Sequence, residues 1–305
     1  MAEDLSIYFY DPSLGAAILF TVLYTPPFLW HLWCVAVAPR TRGYARTLYY
    51  IPMVIGAAFE VIGYAVRCGS TRSPNDVGLY ASSATFIVLA PVFICASLYM
   101  LIARLVPSTT DDELSGQDDA EGEKEQQKLR ILWIKPRWLP RLFVRSDIFS
   151  LLLQSSGSVI ALSNDWEGEK KDIGLAILIT GLVLQAVTVT LFLVIVLTAR
   201  RRAIAARKYN LGLKMVIRGV VIGVCLILAR SIYRVVEFTE EIPGYIFEHE
   251  WLLYVLEALP MWFALLVLAW YHPGRWLVDK VPRYPSDTEL AETAVRRENS
   301  TNYRR

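Results

Sequence analysis

The chain has 305 residues, 54% of them hydrophobic, with 31 Lys and Arg against 29 Asp and Glu. Its positive mean hydropathy points to lipid rather than water as the solvent, and a net charge of +2 gives no reason to expect a nucleic-acid partner. Cys34, Cys95 and Cys225 fall in apolar stretches and leave only Cys68 near a membrane surface, which argues against a disulfide framework.

Residues 1–13 carry Glu3, Asp4 and Asp11 and no base, so a cleavable signal peptide is not expected and the segment reads as an extracellular N-terminus. A spanning helix needs roughly 20 mostly apolar residues. Seven stretches approach that length, at 14–38, 48–66, 80–103, 147–163, 173–199, 211–233 and 251–271, predicting an all-α polytopic bundle over 14–273. The fourth is the weakest, because Gln154, Ser155, Ser156, Gly157 and Ser158 interrupt it, and it suits a helix buried among others better than one facing lipid.

Segments 39–47, 104–146, 200–210 and 272–305 together carry 23 Lys and Arg, against 5 in the N-terminus and segments 67–79, 164–172 and 234–250. The basic side is cytosolic, which puts the N-terminus outside and the C-terminus in the cytosol. Residues 108–127 are acidic and almost free of apolar side chains, so a disordered cytosolic loop is expected. Trp133, Lys135, Arg137, Trp138, Arg141, Phe143 and Arg145 then mix bases with aromatics, as segments lying on an anionic leaflet do. The tail from 274 to 305 is polar and expected to be mobile.

Few ionisable groups lie at membrane depth: His31, Glu60, Arg218, Arg230 and Glu257, with Arg67, Arg234 and Glu237 at the outer rim. Each costs about 2.5–3.5 kcal/mol even on lenient scales, so each needs a partner or a cavity. Counted along the expected spans, Glu60, Arg230 and Glu257 share one layer about 5–10 Å below the outer ends. Helical spacing places Gly56, Glu60, Gly63, Tyr64 and Arg67 on one face, and Arg230, Arg234 and Glu237 on another. Two readings stay open. Arg230 pairs with Glu60 or Glu257 and holds helices in register, or two carboxylates against one arginine leave a negative site for a cationic head group or a proton.

His31 reads as a packing residue or a proton relay. Pro26, Pro27 and Pro91 should free carbonyls that neighbouring helices must satisfy. Arg218 can snorkel to the cytosolic surface. Gly219 with Gly223, and Gly174, Gly181 and Gln185, mark close-packing seams. There is no GxxxxGK[ST] motif, no lysine on the seventh helix, and no converging set of three histidines or nucleophile–base pair. No cofactor, metal or catalytic centre is therefore expected.

The ordered set Tyr10-Asp11-Pro12-Ser13, His31, Glu60-x-x-Gly63-Tyr64-x-x-Arg67, Leu89-Ala90-Pro91, Ala96-Ser97-x-Tyr99-Met100, Arg104, Asp147, Gln154, Gly157, Gly181 and Gln185 continues to the end of the seventh helix. It closes with Arg230-x-x-Tyr233-Arg234-x-x-Glu237, Gly244, Glu250, Tyr254, Pro260-Met261 and His272-Pro273-Gly274. From about Tyr10 to Gly274 the chain resembles the RTA-like family of fungal membrane proteins, known as lipid-translocating exporters. It departs from that family at Glu257, where Asp is commoner, and at Cys34, where Gln often follows the histidine.

The resemblance implies seven helices and a role in moving, or resisting toxicity from, lipids and amphiphiles such as sphingoid bases and sterol-like amines. The plasma membrane is the expected location, with an internal membrane as the alternative. The partner is then an amphiphilic small molecule, with Glu60, Tyr64, Arg230, Glu257, Arg234 and Glu237 as substrate-binding candidates and His31, Arg67, Gln154 and Gln185 as relay or gating candidates. A seven-helix sensor that affects lipid asymmetry indirectly is the rival reading.

Overall fold

The computed structural model describes residues 10–38, 47–108, 138–162, 168–205, 210–240 and 244–277. The expected acidic loop beyond Ser108 and the tail beyond Leu277 lie outside the described residues. Seven long helices are present: α1 (Leu14–Ala36), α2 (Ile51–Arg72), α3 (Val77–Ser108), α4 (Leu139–Leu162), α5 (Gly168–Ala205), α6 (Leu211–Thr239) and the composite α7. In α7 a turn over Glu250–Leu252 leads into a π-helical segment, Leu253–Ala258, and then an α-helix, Leu259–Trp270. The helices follow one another around the bundle in chain order, and α7 closes the ring against α1.

Six of the seven, all but α4, are long and apolar enough to cross a membrane. The fold is that of an integral multi-pass membrane protein. α4 has 24 residues and reaches ~36 Å, long enough to run the depth of the bundle. Its polar residues account for its low hydropathy. Asp147, Ser150, Gln154 and Gly157 recur every three to four residues on the inward face, while Ile148, Phe149, Leu152 and Val159 are exposed on the other. α4 is thus a peripheral helix with an apolar outer face, not one buried among others.

Several helices exceed the expected spans, and near the end of α2 the charged Arg67 is paired inside the protein. α2 continues past 66 to Arg72, so Glu60 lies 12 residues, ~18 Å, from that terminus. Glu257 is seven residues after Glu250, ~10 Å, and Arg230 nine before Thr239, ~13 Å. The ionic layer is therefore deeper than the expected 5–10 Å. α4 likewise begins two turns before Asp147, which puts that carboxylate inside a helix.

Glycines set the closest approaches. A Cβ on Gly157 would stand 2.5 Å from the Leu178 nitrogen, and one on Gly174 would stand 2.5 Å from the Ala161 nitrogen, so α4 and α5 touch backbone to backbone. Gly56 and Gly63 let α2 approach Ile94 and Ile87 of α3 in the same way, and Gly219 and Gly223 seat Tyr271 and Leu268 against α6. All four cysteines are free.

Prolines supply a second kind of contact. Pro27 has no N–H for the Leu23 carbonyl four residues back, and the Trp262 indole of α7 donates to that oxygen at 2.8 Å. Pro91 frees the Ile87 carbonyl of α3 likewise, and Arg230 Nη2 of α6 donates to it at 3.2 Å. Both prolines sit within unbroken helices.

Gly157→Ala should lower the thermal unfolding midpoint in detergent by the equivalent of about 1–3 kcal/mol, because neither backbone can yield. Gly15→Ala, whose Cβ would meet nothing nearer than Ser13 Oγ at 3.9 Å, should leave it unchanged. Trp262→Phe should cost about 1 kcal/mol, and less in a Pro27→Ala background where the Leu23 carbonyl regains its helical donor. Equal losses in both backgrounds, read by a double-mutant cycle, would show that the indole bond contributes nothing.

Candidate functional site

Arg230 projects from α6 to the π-helical segment of α7, where its Nη2 donates to Glu257 Oε1 at 2.6 Å. Arg234, one turn along α6, binds Glu237 at 2.8 Å and reaches Glu257 at 3.6 Å. Glu257 is thus shared by two guanidinium groups, and Glu237, expected at the rim, is buried. The open question of Arg230's partner is settled for Glu257.

Glu60 enters this region from α2. It is buried within electrostatic range of Arg230 and Glu257, yet no ion pair joins it to either among the described residues. Its Oε1 has no hydrogen-bond partner, and neither has the Tyr64 hydroxyl one turn away. The walls are aromatic: Tyr24 stacks on Tyr64 with ring centroids 5.3 Å apart, and Phe20 stacks on Tyr254 at 5.0 Å. Tyr24 is fixed by its own hydroxyl, which donates to the Ala258 carbonyl at 2.7 Å. A carboxylate oxygen left open beside tyrosine faces can hold an ammonium group by charge and by cation–π attraction.

Toward the end of the bundle where α1 begins, Arg67 forms a second ionic node. Its Nη2 donates to Glu250 Oε1 at 3.0 Å and to the Tyr10 hydroxyl at 2.7 Å, and its Nε donates to the Tyr254 hydroxyl at 3.1 Å. Burial raises the pKa of the Tyr10 phenol, with Arg67 opposing, so it stays a neutral acceptor here. The Ser13 amide donates to Glu250 Oε2 at 2.8 Å, which ties the start of α1 to the start of α7. Glu250 was not among the candidate site residues, since it falls just outside the expected seventh span. Tyr254, four residues on and so on the same helical face, is the signal that points to it.

Gln154 and Gln185 meet across the α4–α5 seam. Gln154 Nε2 donates to Gln185 Oε1 at 3.0 Å and to Ser150 Oγ at 2.9 Å. Together with Val88, Leu182, Ser231, Arg230 and Arg234 they line a narrow cleft of about 10 Å³, room for about one water. These two glutamines therefore join the arginine pair and stand apart from Glu60.

His31 is remote from all of this. It is buried near the other end of the bundle, with Nε2 3.2 Å from the Leu265 carbonyl and its ring 6.1 Å from that of His272. Arg218 lies on the exposed outer face of α6. Asp147 of α4 is buried, and its Oδ2 accepts from the Tyr99 hydroxyl at 2.9 Å. It was missed as an ionisable group at depth because the expected span began at that residue. No group of three or more His, Cys, Asp or Glu able to hold a metal occurs among the described residues.

Residues 53–116 and 126–280 match the family described as RTA1 like protein. Among similar proteins, Protein RTA1 of Saccharomyces cerevisiae is 28% identical over 291 residues, covering 88% of this chain and 85% of its own length. The probable lipid transporter atnI of Emericella nidulans is 23% identical, covering 92% of this chain and 70% of itself. The sphingoid long-chain base transporter RSB1 of Saccharomyces cerevisiae is 23% identical, covering 74% of this chain and 64% of itself. No solved structure matches. With the family match spanning α2 through α7, the chain belongs to the RTA1-like family.

Proposed function

We propose that this protein translocates a cationic amphiphile, of sphingoid-base or sterol-amine type, exporting it without a nucleotide-hydrolysing site or covalent chemistry of its own and so contributing to resistance against toxic amphiphiles. The observation that carries the reading is the buried Glu60 oxygen, bonded to nothing and walled by Tyr24 and Tyr64. An ammonium group there gains a counter-charge close to the Tyr24 and Tyr64 rings, while its hydrocarbon tail lies among the apolar side chains of α1, α2 and α7. The names of the relatives, a sphingoid long-chain base transporter and a probable lipid transporter, support the same substrate class.

The geometry gives the two carboxylates different parts. Glu257 already satisfies Arg230 and Arg234, so it is a fixed counter-ion for α6 and not a second arm of the amine site. Glu60 alone is left to receive the head group. The Arg67–Glu250–Tyr10 node above it closes the route toward the end where α1 begins. Opening that node lets the substrate pass.

The test is reconstitution of purified protein in liposomes with a fluorescent sphingoid base. Glu60→Gln should fold normally yet slow transfer by about tenfold or more, since a hydrogen bond to a charged group is worth about 1.5–3 kcal/mol. Glu257→Gln should behave otherwise. It leaves the buried Arg230 without its carboxylate, costing about 3–5 kcal/mol, and should appear as loss of monodisperse protein on size exclusion. Transfer by Glu60→Gln at the wild-type rate would refute the amine site, and binding without transfer by the wild type would favour a sensor.

A further inference from the structure

Three of the acidic side chains turned into the bundle meet an arginine: Glu250 meets Arg67, Glu237 meets Arg234, and Glu257 meets both Arg230 and Arg234. Glu60 and Asp147 meet none among the described residues. Glu60 has a part in the proposed function, and Asp147 has none. Only 1% of Asp147 is exposed. Tyr99 donates to its Oδ2, and its Oδ1 has no partner.

An isolated carboxylate inside a membrane protein is costly, and such groups mark ion pathways and proton relays. The surroundings of Asp147 decide which ion suits it. From α3 it faces Tyr99, with the Cys95 thiol beside them. From α5 the neighbouring positions are Thr188, bonded to Ser146 at 2.9 Å, and Phe192, edge-on to Tyr99 at 4.6 Å. Phe143 covers Tyr99 from α4 itself, while Arg141 and Arg145 of that helix are exposed. Arg230 of α6 lies beyond Cys95. Among the described residues the Tyr99 hydroxyl is the group bonded to this carboxylate, whereas an alkali cation needs several oxygen ligands. A proton needs one oxygen.

Polar side chains also follow Asp147 along α4. Ser150 and Gln154 follow Asp147 by one and two turns on the same face of α4, and Gln154 lines the cleft that holds Arg230 and Arg234. The run from Asp147 to that cleft spans ~10 Å along the helix. Ser150 Oγ and the Gln154 and Gln185 amides along it can both donate and accept hydrogen bonds.

We propose that Asp147 is the coupling-ion site of the transporter, taking up one proton in exchange for one ammonium group held at Glu60. The inference rests on the translocation reading above. The carboxylate accepts a proton from water on one side of the membrane, becomes the carboxylic acid, and releases the proton to water on the other side. One cationic amphiphile moves the opposite way, so the cycle carries no net charge.

The experiment uses the full chain in liposomes and an N,N,N-trimethyl sphingoid probe, whose charge does not change with pH, with protein-free liposomes as the blank. One-for-one exchange predicts about tenfold accumulation of probe per pH unit of imposed gradient, and none from a sodium gradient. Asp147→Asn should keep downhill movement of the probe but lose the response to the pH gradient, and Asp147→Glu should restore it. Infrared difference spectra of the protein in membranes give a second readout that needs no transport. A carboxylic-acid C=O band should come and go with pH in the wild type and be missing in Asp147→Asn. A pH gradient that drives Asp147→Asn as well as the wild type overturns the assignment, as does driving by sodium. If the wild type moves no probe under any gradient, the translocation reading fails, and the presence or absence of the Asp147 band then decides whether this carboxylate exchanges protons at all.

Discussion

Pro91 removes the amide that would bond the Ile87 carbonyl, and in the depth of a bilayer no water stands ready to replace it. Arg230 fills the place from another helix, and the same guanidinium holds Glu257 at 2.6 Å. One side chain therefore satisfies a backbone defect on α3 and a carboxylate on α7 while rooted on α6. The Pro27–Leu23–Trp262 contact does the equivalent work between α1 and α7. A proline that would weaken a water-soluble helix here creates an acceptor that only a neighbouring helix can reach, so the ring of helices is closed in part by its own missing hydrogen bonds.

The π-helical segment of α7 belongs to the same arrangement. Tyr254, Glu257 and Ala258 of this segment are all buried. Tyr254 then turns to Arg67, Glu257 to Arg230 and Arg234, and the Ala258 carbonyl to Tyr24. A π-turn also releases carbonyls from the ordinary ladder, and such turns gather at functional sites. Here it brings the fixed ion pair and the aromatic wall of the open carboxylate into one stretch of six residues.

Much of this is readable from residue spacing. The repeat of Arg230, Arg234 and Glu237, the Glu60–Tyr64–Arg67 face and the prolines all announce inward-facing polar contacts, because lipid tolerates no other orientation. Partner choice was less legible. Nothing in the spacing says that two arginines converge on Glu257 and leave Glu60 without either. Depth was misjudged where apolar runs were taken as helix lengths, since α2 carries a buried, paired Arg67 and continues to Arg72. The same habit placed Asp147 at a helix end, when α4 begins at Leu139 and turns that carboxylate inward. Composition likewise suggested a buried fourth helix. Asp147, Ser150 and Gln154 instead line one inward face, while the opposite side is exposed, a pattern that mean hydropathy averages away.

The glycine seams divide the ring into pairs. α2 with α3, α4 with α5, and α6 with α7 meet at contacts too close for a Cβ, and backbones packed at that distance move together or not at all. Long polar side chains are among the contacts that join one pair to another: Arg67 to Glu250 between α2 and α7, Arg230 to Ile87 between α6 and α3, and Tyr99 to Asp147 between α3 and α4. Such contacts can be exchanged without opening a void, as in shear motions of packed helices. The ionisable groups thus stand where rigid pairs adjoin. On the proposed reading, a head group at Glu60 or a proton at Asp147 would act on the boundaries between pairs and leave the seams within them intact, so that binding shifts helices without unpacking them.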